Sequence, residues 1–254
     1  RTNATIAPAA SAHAITGGTG GLGLLTARWL AQRGRVRTLA LASRGGMLVG
    51  DSAADWVGVL GTNAATLVQR CDTADDAPIA RLVARVTGSA LAVGVWHAAG
   101  VLADGVLPGQ TAQALSRVYA PKAHGGWALH RACMVAVGRT HALFSSVAAL
   151  LGGAAQANYS AANACLDALG SCRRTCAQVA TSVQWGAWAE VGMAARGAAS
   201  ERMAAMEAAS GFGRIGLAQG LGALQLAVLS RAQSCLGVVP VQWQRMLEGG
   251  AAPA

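Results

Sequence analysis

The sequence predicts an α/β domain built on a doubly wound parallel sheet of about seven strands, and three observations carry that expectation. Short apolar runs alternate with longer helical patterns along the chain, the signature of repeated strand-helix-strand units. A glycine-rich segment at 17–23 falls between the first apolar run and the first helical pattern. Apolar residues make up 53% of the chain, while charged residues are 12% and aromatics 4%. Ala and Gly fill the difference, so helices can close on a sheet through small side chains.

Strands are expected near 12–16, 36–43, 65–71, 91–96, 140–145, 179–185 and 235–239, with helices on both faces of the sheet. The first ends at Thr16 against the glycines, the second at Leu41-Ala42-Ser43 and the third at Cys71. The fourth runs out into His97-Ala98-Ala99-Gly100, and the fifth into Phe144-Ser145-Ser146. The strongest helical patterns cover 21–33, 75–87, 122–136, 153–173 and 217–230. Residues 193–214, rich in Ala and Met with flanking glycines, read as a helical lid inserted before the last strand. No repeat or linker interrupts the pattern, so residues 12–245 are expected as one domain, with linkers at 1–11 and 246–254.

Composition excludes several classes of function. The net charge of +9 suits nucleic acid, an acidic carrier protein or a phosphorylated cofactor. The arginines are scattered, however; Arg28, Arg33, Arg35 and Arg37 come nearest to a cluster, with no aromatics interleaved, so no nucleic-acid role is expected. The six cysteines include no CxxC pair, and Cys172 and Cys176 lack nearby His or acidic partners, which argues for reduced thiols and no metal. The longest uncharged stretch, 142–166, carries Ser145, Ser146, Gln156, Asn158, Tyr159, Ser160 and Asn163, a polar load that rules out a membrane span there. No basic region followed by an apolar run opens the chain, so no secretory signal and a cytoplasmic setting are expected. Both ends read as cut from a longer chain.

Gly18, Gly20 and Gly23 form G-x-G-x-x-G in the strand-to-helix setting that a Rossmann-type dinucleotide site requires. The backbone must turn sharply and approach a pyrophosphate without a β-carbon in the way, while the helix N-terminus offers unpaired N–H groups. Gly18, Thr19, Gly20, Gly21, Leu22 and Gly23 are therefore the expected cradle. At the end of the second strand stand Ser43 and Arg44, with no acid before Asp51. A cation there accommodates the extra phosphate of NADP, and Arg44 can fork onto it while Ser43 donates, so NADPH is the expected cofactor. Asp72 is placed near the adenine, and Ala98, Ala99 and Gly100 let backbone pass close to the cofactor. His97, with no serine or cysteine to activate, reads as structural.

Lys122 is the only lysine beside nineteen arginines, and it precedes Tyr159 by 37 residues. Ser146 precedes Tyr159 by thirteen, and Asn163 follows it by one helical turn. A phenol with a pKa of about 10 is a weak proton donor at neutral pH. An ammonium about 4 Å away at an effective dielectric of about 20 is worth roughly 4 kcal/mol, or about 3 pK units in favour of the phenolate. Lys122, Ser146, Tyr159 and Asn163 thus read as a carbonyl-reducing set: Ser146 holds the carbonyl oxygen, Tyr159 protonates the developing alkoxide and Lys122 tunes Tyr159.

With these residues in view, the chain resembles the short-chain dehydrogenase/reductase family, and more closely the ketoreductase domains of modular polyketide synthases and animal-type fatty acid synthases. The segments that carry the likeness are Thr16–Gly23, Ser43-Arg44-Gly45, Cys71-Asp72, His97–Gly105, Pro121-Lys122, Phe144–Leu169 and Trp185–Met193. In ordinary short-chain reductases lysine follows tyrosine by four and asparagine lies upstream; in the synthase domains the two are exchanged, as Lys122 and Asn163 are here. The resemblance implies NADPH-dependent reduction of a β-ketoacyl group held on the phosphopantetheine arm of an acyl carrier protein, among the other domains of a parent synthase. It also implies a preceding structural subdomain, and a substrate region that includes Asp104, Leu143, Trp185 and Met193. Val101-Leu102-Ala103-Asp104 is similar to the Leu-Asp-Asp motif of B-type domains, with Ala103 in place of the first acid, and Leu143 falls where A-type domains carry tryptophan. Together these imply a D-configured β-hydroxyl. Two alternatives stand beside this reading: a free-standing short-chain reductase of small ketones, and an inert NADP-binding module of a synthase.

Overall fold

The structure is a computed structural model, and it describes residues 11–48, 53–88, 92–134, 138–192, 211–228 and 233–248. By internal contacts the chain divides into two compact units, residues 1–99 with 127–141 and residues 100–126 with 142–254. The strand order of its parallel sheet is β3-β2-β1-β4-β5-β6-β7.

In the first unit, β1 (Ser11–Thr16) leads through the glycine turn into α1 (Gly21–Gln32), followed by β2 (Val36–Ser43), α2 (Ala53–Leu60), β3 (Ala65–Arg70), α3 (Asp76–Thr87) and β4 (Ala92–His97). β1 pairs in parallel with both β2 and β4, so the strand order reverses between β1 and β4. Ligands of open α/β sheets bind at the carboxyl ends of the strands flanking such a reversal. Successive β1 side chains alternate between the faces. Ala12 and Ala14 join Ala40, Ala42, Val93 and Val95 beneath α3, whose Ile79, Leu82, Val83 and Val86 form one buried stripe at helical spacing. Each such fully buried aliphatic side chain contributes about 1.5–3 kcal/mol of apolar transfer. Asp75 caps α3 by accepting a hydrogen bond from the Ala77 N–H at 3.0 Å. The other face buries His13 beside Trp96, with Trp29 of α1 edge-on to Trp96. The Trp96 indole donates to His13 Nδ1 at 3.1 Å, and burial lowers the His13 pKa to about 4, so the imidazole is a neutral core group.

In the second unit, α4 (Ala112–Tyr119) is capped by Thr111, which accepts from the Ala114 N–H at 3.1 Å. It runs into a π-turn at Ala120–His124 and then α5 (Gly125–Ala132), which continues into the first unit. Pro121 has no N–H to give to the turn before it, which accounts for a widened turn at this point. β5 (Gly138–Ser146), the short α6 (Ala148–Leu151), α7 (Ala157–Thr175), β6 (Thr181–Trp185), α8 (Leu217–Ala227), β7 (Cys235–Val238) and α9 (Trp243–Glu248) complete the chain. β6 pairs in parallel with both β5 and β7.

All seven expected strands form, at or within two residues of the anticipated ends. The helix expected at 122–136 is corrected: helical backbone begins at Ala112 and passes through the π-turn that holds Lys122. Helices α2, α4, α6 and α9 fall outside the strongest expected patterns. Most of the expected lid, including Met193, lies outside the described residues; the described part at 211–214 is irregular, with Phe212 bridged to Val241.

Candidate active site

The glycine turn belongs to the first unit, and the chain itself explains most of its glycines. A β-carbon at Gly18 would lie 2.6 Å from the Ile15 carbonyl oxygen, and one at Gly23 would lie 2.2 Å from that of Gly17. Gly20 differs: its β-carbon would meet only the Gly17 carbonyl oxygen, at 3.4 Å. Folding therefore does not demand glycine at 20, whereas a ligand approaching the backbone there does. α1 begins at this point with no side-chain cap and no acid in its first turn, leaving its positive end for an anion. Thr19 is buried beneath the turn.

The neighbouring strand ends are tied in. Gly18 N–H donates to the Ala42 carbonyl at 3.1 Å, and Ala98 N–H donates to that of Thr16 at 3.0 Å. Ser43 Oγ accepts from the Gly46 N–H at 3.1 Å, which shapes the turn presenting Arg44. Arg44 is exposed, and the ion pairs among the described residues are Arg28–Asp55 and Arg131–Asp76, so no described carboxylate pairs with its guanidinium. Asp72 is exposed and accepts from the Ala74 N–H at 3.0 Å. His97 is fully buried, with Nδ1 2.7 Å from Thr16 Oγ1, a structural bond joining β4 to β1.

The second unit brings Lys122, Ser146, Tyr159 and Asn163 together. Lys122 is 3% exposed; its Nζ donates to the Phe144 carbonyl at 2.9 Å and lies 5.3 Å from the centre of the Tyr159 ring. Gly100 makes room for it, since a β-carbon there would fall 2.9 Å from Lys122 Cε. Ser146, at the end of β5, accepts from the Ala148 N–H at 3.2 Å and hydrogen-bonds the Tyr159 hydroxyl. Asn163 is fully buried and donates from Nδ2 to the Tyr159 carbonyl at 2.8 Å, while its Oδ1 is an acceptor with no partner among the described residues. Ser145 Oγ donates to the Asn163 carbonyl at 3.2 Å, fixing α7 against the end of β5.

Burial dominates the electrostatics of the pair, which corrects the expectation of a strongly acidified phenol. Desolvation raises the Tyr159 pKa above 10, aided by the Asp104 charge and opposed by hydrogen bonds from Asn163 and Ser146. Desolvation lowers the Lys122 pKa to about 7 against the opposing field of Asp167. Both charged forms lose hydration, so the resting phenol keeps its proton and the lysine exchanges its proton near neutrality. A phenol that is to give a proton away must start protonated.

Sequence reasoning missed a clamp formed by Asn158. This residue is 2% exposed; its Nδ2 donates to the Ala103 carbonyl at 2.8 Å and its Oδ1 accepts the Tyr159 N–H at 2.7 Å. Gly105 N–H donates to the Ala155 carbonyl at 2.8 Å, and Gln156 Nε2 reaches both oxygens of the exposed Asp104 at 3.3 Å. The 103–105 loop is thereby laced to the start of the Tyr159 helix. The only signal in the sequence was a polar amide beside the tyrosine.

Two expected substrate residues fall elsewhere. Leu143 is fully buried in a cluster with Leu166 and Leu169, so it packs β5 against α7 and has no surface to offer a substrate. Trp185 is buried between Phe144 and Trp188, at ring distances of 5.6 and 5.1 Å. Its indole N–H has no partner among the described residues. Among those residues no group of three or more His, Cys, Asp or Glu could hold a metal, and no helix is long and apolar enough to cross a membrane.

Comparison with known proteins follows this geometry. The sequence profile of the KR domain matches residues 11–190. This chain belongs to the KR domain family. It is 43% identical over 185 residues to polyketide synthase GfsA of Streptomyces halstedii, covering 70% of this chain and 2% of that protein. It is 37% identical over 240 residues to polyketide synthase GfsB of the same organism, covering 94% of this chain and 4% of that one. This KR domain therefore spans a few per cent of the length of those relatives. An A-type ketoreductase structure from a modular polyketide synthase superposes with a TM-score of 0.86 at 31% identity, covering 98% of this chain and 52% of that one. The first ketoreductase of the tylosin synthase superposes at 0.80 with 32% identity, covering 94% and 51%.

Proposed function

We propose that this KR domain reduces the ketone of a β-ketoacyl thioester, carried on the phosphopantetheine arm of an acyl carrier protein, to the β-hydroxyacyl thioester, with NADPH as cofactor. The observation that carries the reading is the convergence of half-buried Ser146 and Tyr159 with buried Lys122 and Asn163. Residues 12–245 are the catalytic domain in this reading, working among the other domains of a parent synthase in the cytoplasm.

The residues at the carboxyl ends of β1 and β2 fit the cofactor. Gly18–Gly23 and the uncapped start of α1 receive the pyrophosphate, and the open space at Gly20 is the point of closest approach. Arg44, which pairs with no carboxylate among the described residues, takes the additional phosphate of NADPH by charge-assisted hydrogen bonds, with Ser43 beside it. Asp72, Ala98, Ala99 and Gly100 border the remainder. NADPH, when bound, supplies a hydride to the ketone carbon, two electrons that turn the carbonyl into an alkoxide. Ser146 donates to the carbonyl oxygen and holds it, and Tyr159 gives that oxygen its hydroxyl proton, completing the alcohol. The protonated Lys122 stabilises the phenolate left behind until solvent reprotonates it. Asn163 fixes the Tyr159 backbone through its 2.8 Å hydrogen bond. With Leu143 in the core, the proposed D-configured product rests on the 101–104 loop, which Asn158 and Gln156 hold beside Tyr159.

The test is NADPH oxidation by the isolated domain with a β-ketoacyl thioester or a simple cyclic ketone, alongside NADPH binding by fluorescence and chiral analysis of the product. Turnover with preference for NADPH over NADH is expected. Binding without turnover on either substrate would instead make the domain an inert nucleotide-binding module.

A further inference from the structure

Three side-chain carboxamides converge on three consecutive residues of the loop beside Tyr159. Asn158 Nδ2 donates to the Ala103 carbonyl at 2.8 Å, Gln156 Nε2 to the Asp104 carboxylate at 3.3 Å, and Gln110 Nε2 to the Gly105 carbonyl at 2.7 Å. Packing gives this loop little support. None of the residues from Ala103 to Leu107 is buried, and Leu107, Gln110 and Asn158 line an open cavity of about 290 Å³ between the first turns of α4 and α7. A backbone without apolar anchors opens easily, so the amides are what hold it. Asn158 grips two things at once. Its Oδ1 accepts the Tyr159 N–H at 2.7 Å, one of the first-turn donors that α7 cannot satisfy from within, while Nδ2 reaches out to the loop. Turning the amide over would set like groups against each other at both ends.

We propose that Asn158 and Gln110 are positioning residues that fix the 103–105 loop as a wall of the ketone site, Asn158 tying that wall to the backbone of the proton donor, and that this tie sets the selectivity of the reduction. The role rests on the ketoreductase reading. Ser146 and Tyr159 hold a ketone by its oxygen alone, and rotation about the carbonyl axis then exchanges the two substituents and with them the face offered to the hydride. A wall at a fixed distance from the phenol prevents that exchange. Because one buried amide spans from the Ala103 carbonyl to the Tyr159 N–H, wall and donor move together. Gln110 secures the other end of the same loop. A displacement of about 1 Å at such a wall is enough to cost up to about 10²-fold in rate.

The two ends of the Asn158 amide can be separated. Asn158→Asp keeps an oxygen for the Tyr159 N–H, at a helix start that favours negative charge, but sets an acceptor against the Ala103 carbonyl and so releases the loop. Gln110→Met removes one donor without adding charge, and since Gln110 Oε1 has no partner among the described residues it breaks only the bond to Gly105. It carries the test alone if the carboxylate at 158 prevents folding. Hydrogen exchange followed by NMR reads the tie without turnover. In both variants the Gly105 N–H, bonded to the Ala155 carbonyl, should exchange at least several-fold faster, while the Tyr159 N–H stays protected. In assays with a β-ketoacyl thioester, Asn158→Asp should lower kcat/KM by about 10–100-fold and erode the enantiomeric ratio of the product by a similar factor. Gln110→Met should do the same by up to about tenfold. NADPH affinity and melting temperature should stay near wild type. Residues that only supported the fold would lower the melting temperature and leave the enantiomeric ratio of the surviving enzyme unchanged. Unaltered Gly105 exchange in the folded variants overturns the tie. Faster exchange with an unaltered enantiomeric ratio overturns the positioning role. Absence of turnover in the wild type would sink the ketoreductase reading alone, since exchange still decides the tie.

Discussion

The two proposed functional regions each hold one cation, and the structure sets the two cations in opposite surroundings. Arg44 stands exposed at the end of β2, on a guanidinium whose charge no environment removes. Lys122 is sealed within a π-turn beside Tyr159, where burial brings its pKa to about 7. The first arrangement suits attraction of a phosphate that arrives and leaves with its own charge. The second suits a proton relay, because only a group that can lose its charge near neutrality can share protons with a phenol. The surrounding frames differ accordingly: backbone and small residues make up the glycine turn, whereas side chains drawn from a π-turn, a strand end and one helix face make up the proton-donating set.

The sharpest way to break this contrast is Tyr159→Phe. Removal of the proton donor should lower kcat by about 10²–10⁴-fold while leaving NADPH affinity unchanged, because only the second region loses a group. Steady-state kinetics with a β-ketoacyl thioester and fluorescence titration of NADPH check it. Retained turnover would mean that another group gives the proton.

Next in size is the cost of burying Lys122. Its folded pKa is depressed from 10.5 to about 7, so between those values the unfolded chain binds more protons and stability rises with pH. Below pH 7 the full penalty is present, about 5 kcal/mol on the pKa difference. Lys122→Met removes that penalty but leaves the Phe144 carbonyl without its donor, a loss of about 1–3 kcal/mol. The variant should therefore be inactive yet more stable at pH 7 by a few kcal/mol, with the gain vanishing toward pH 10, measured by urea denaturation across pH. Arg44→Met should show no such pH-dependent gain, which sharpens the distinction between the two cations.

How much of this was legible in the sequence depends on what a residue's type implies without its surroundings. The strands were readable because their apolar runs end at turns, and the glycine turn because its pattern sits in the one setting that explains it. α2 was not, since it buries a single residue, Val59, whereas α4 was passed over although Ala112, Leu115, Val118 and Tyr119 recur at helical spacing over its two turns. The four side chains proposed for the reaction were picked out by spacing and by the lone lysine. Their electrostatics were not: a pairwise Coulomb argument acidifies Tyr159, whereas burial, invisible in the sequence, raises it. Leu143 failed for the same reason, because the residue type is apolar whether it faces a substrate or Leu166. Gln110 sat unnoticed because its partner, the Gly105 carbonyl, is a backbone group that residue types do not show.

Within the glycine turn the two kinds of glycine can be separated by matched substitutions. Gly23→Ala puts a β-carbon 2.2 Å from a backbone oxygen that cannot swing away, and should destabilise the fold by about 1–3 kcal/mol. Gly20→Ala meets only an atom at 3.4 Å and should melt close to wild type while binding NADPH markedly less well. Equal melting losses in both variants would mean that the turn is a folding device throughout.

The smallest expected effect is the most specific. Arg44→Ala removes an exposed side chain with no ion pair to break among the described residues, so neither stability nor kcat at saturating cofactor should change measurably. The lost charge-assisted contact to one phosphate should weaken NADPH binding by about tenfold, close to 1.5 kcal/mol, and leave NADH binding where it was. Because the interaction is exposed, the NADPH penalty should shrink as salt is raised from about 0.01 to 1 M, over which the screening length falls from about 30 to 3 Å. Equal loss for both cofactors would mean that Arg44 shapes the turn after β2, as Ser43 does through Gly46, and that phosphate selectivity lies elsewhere.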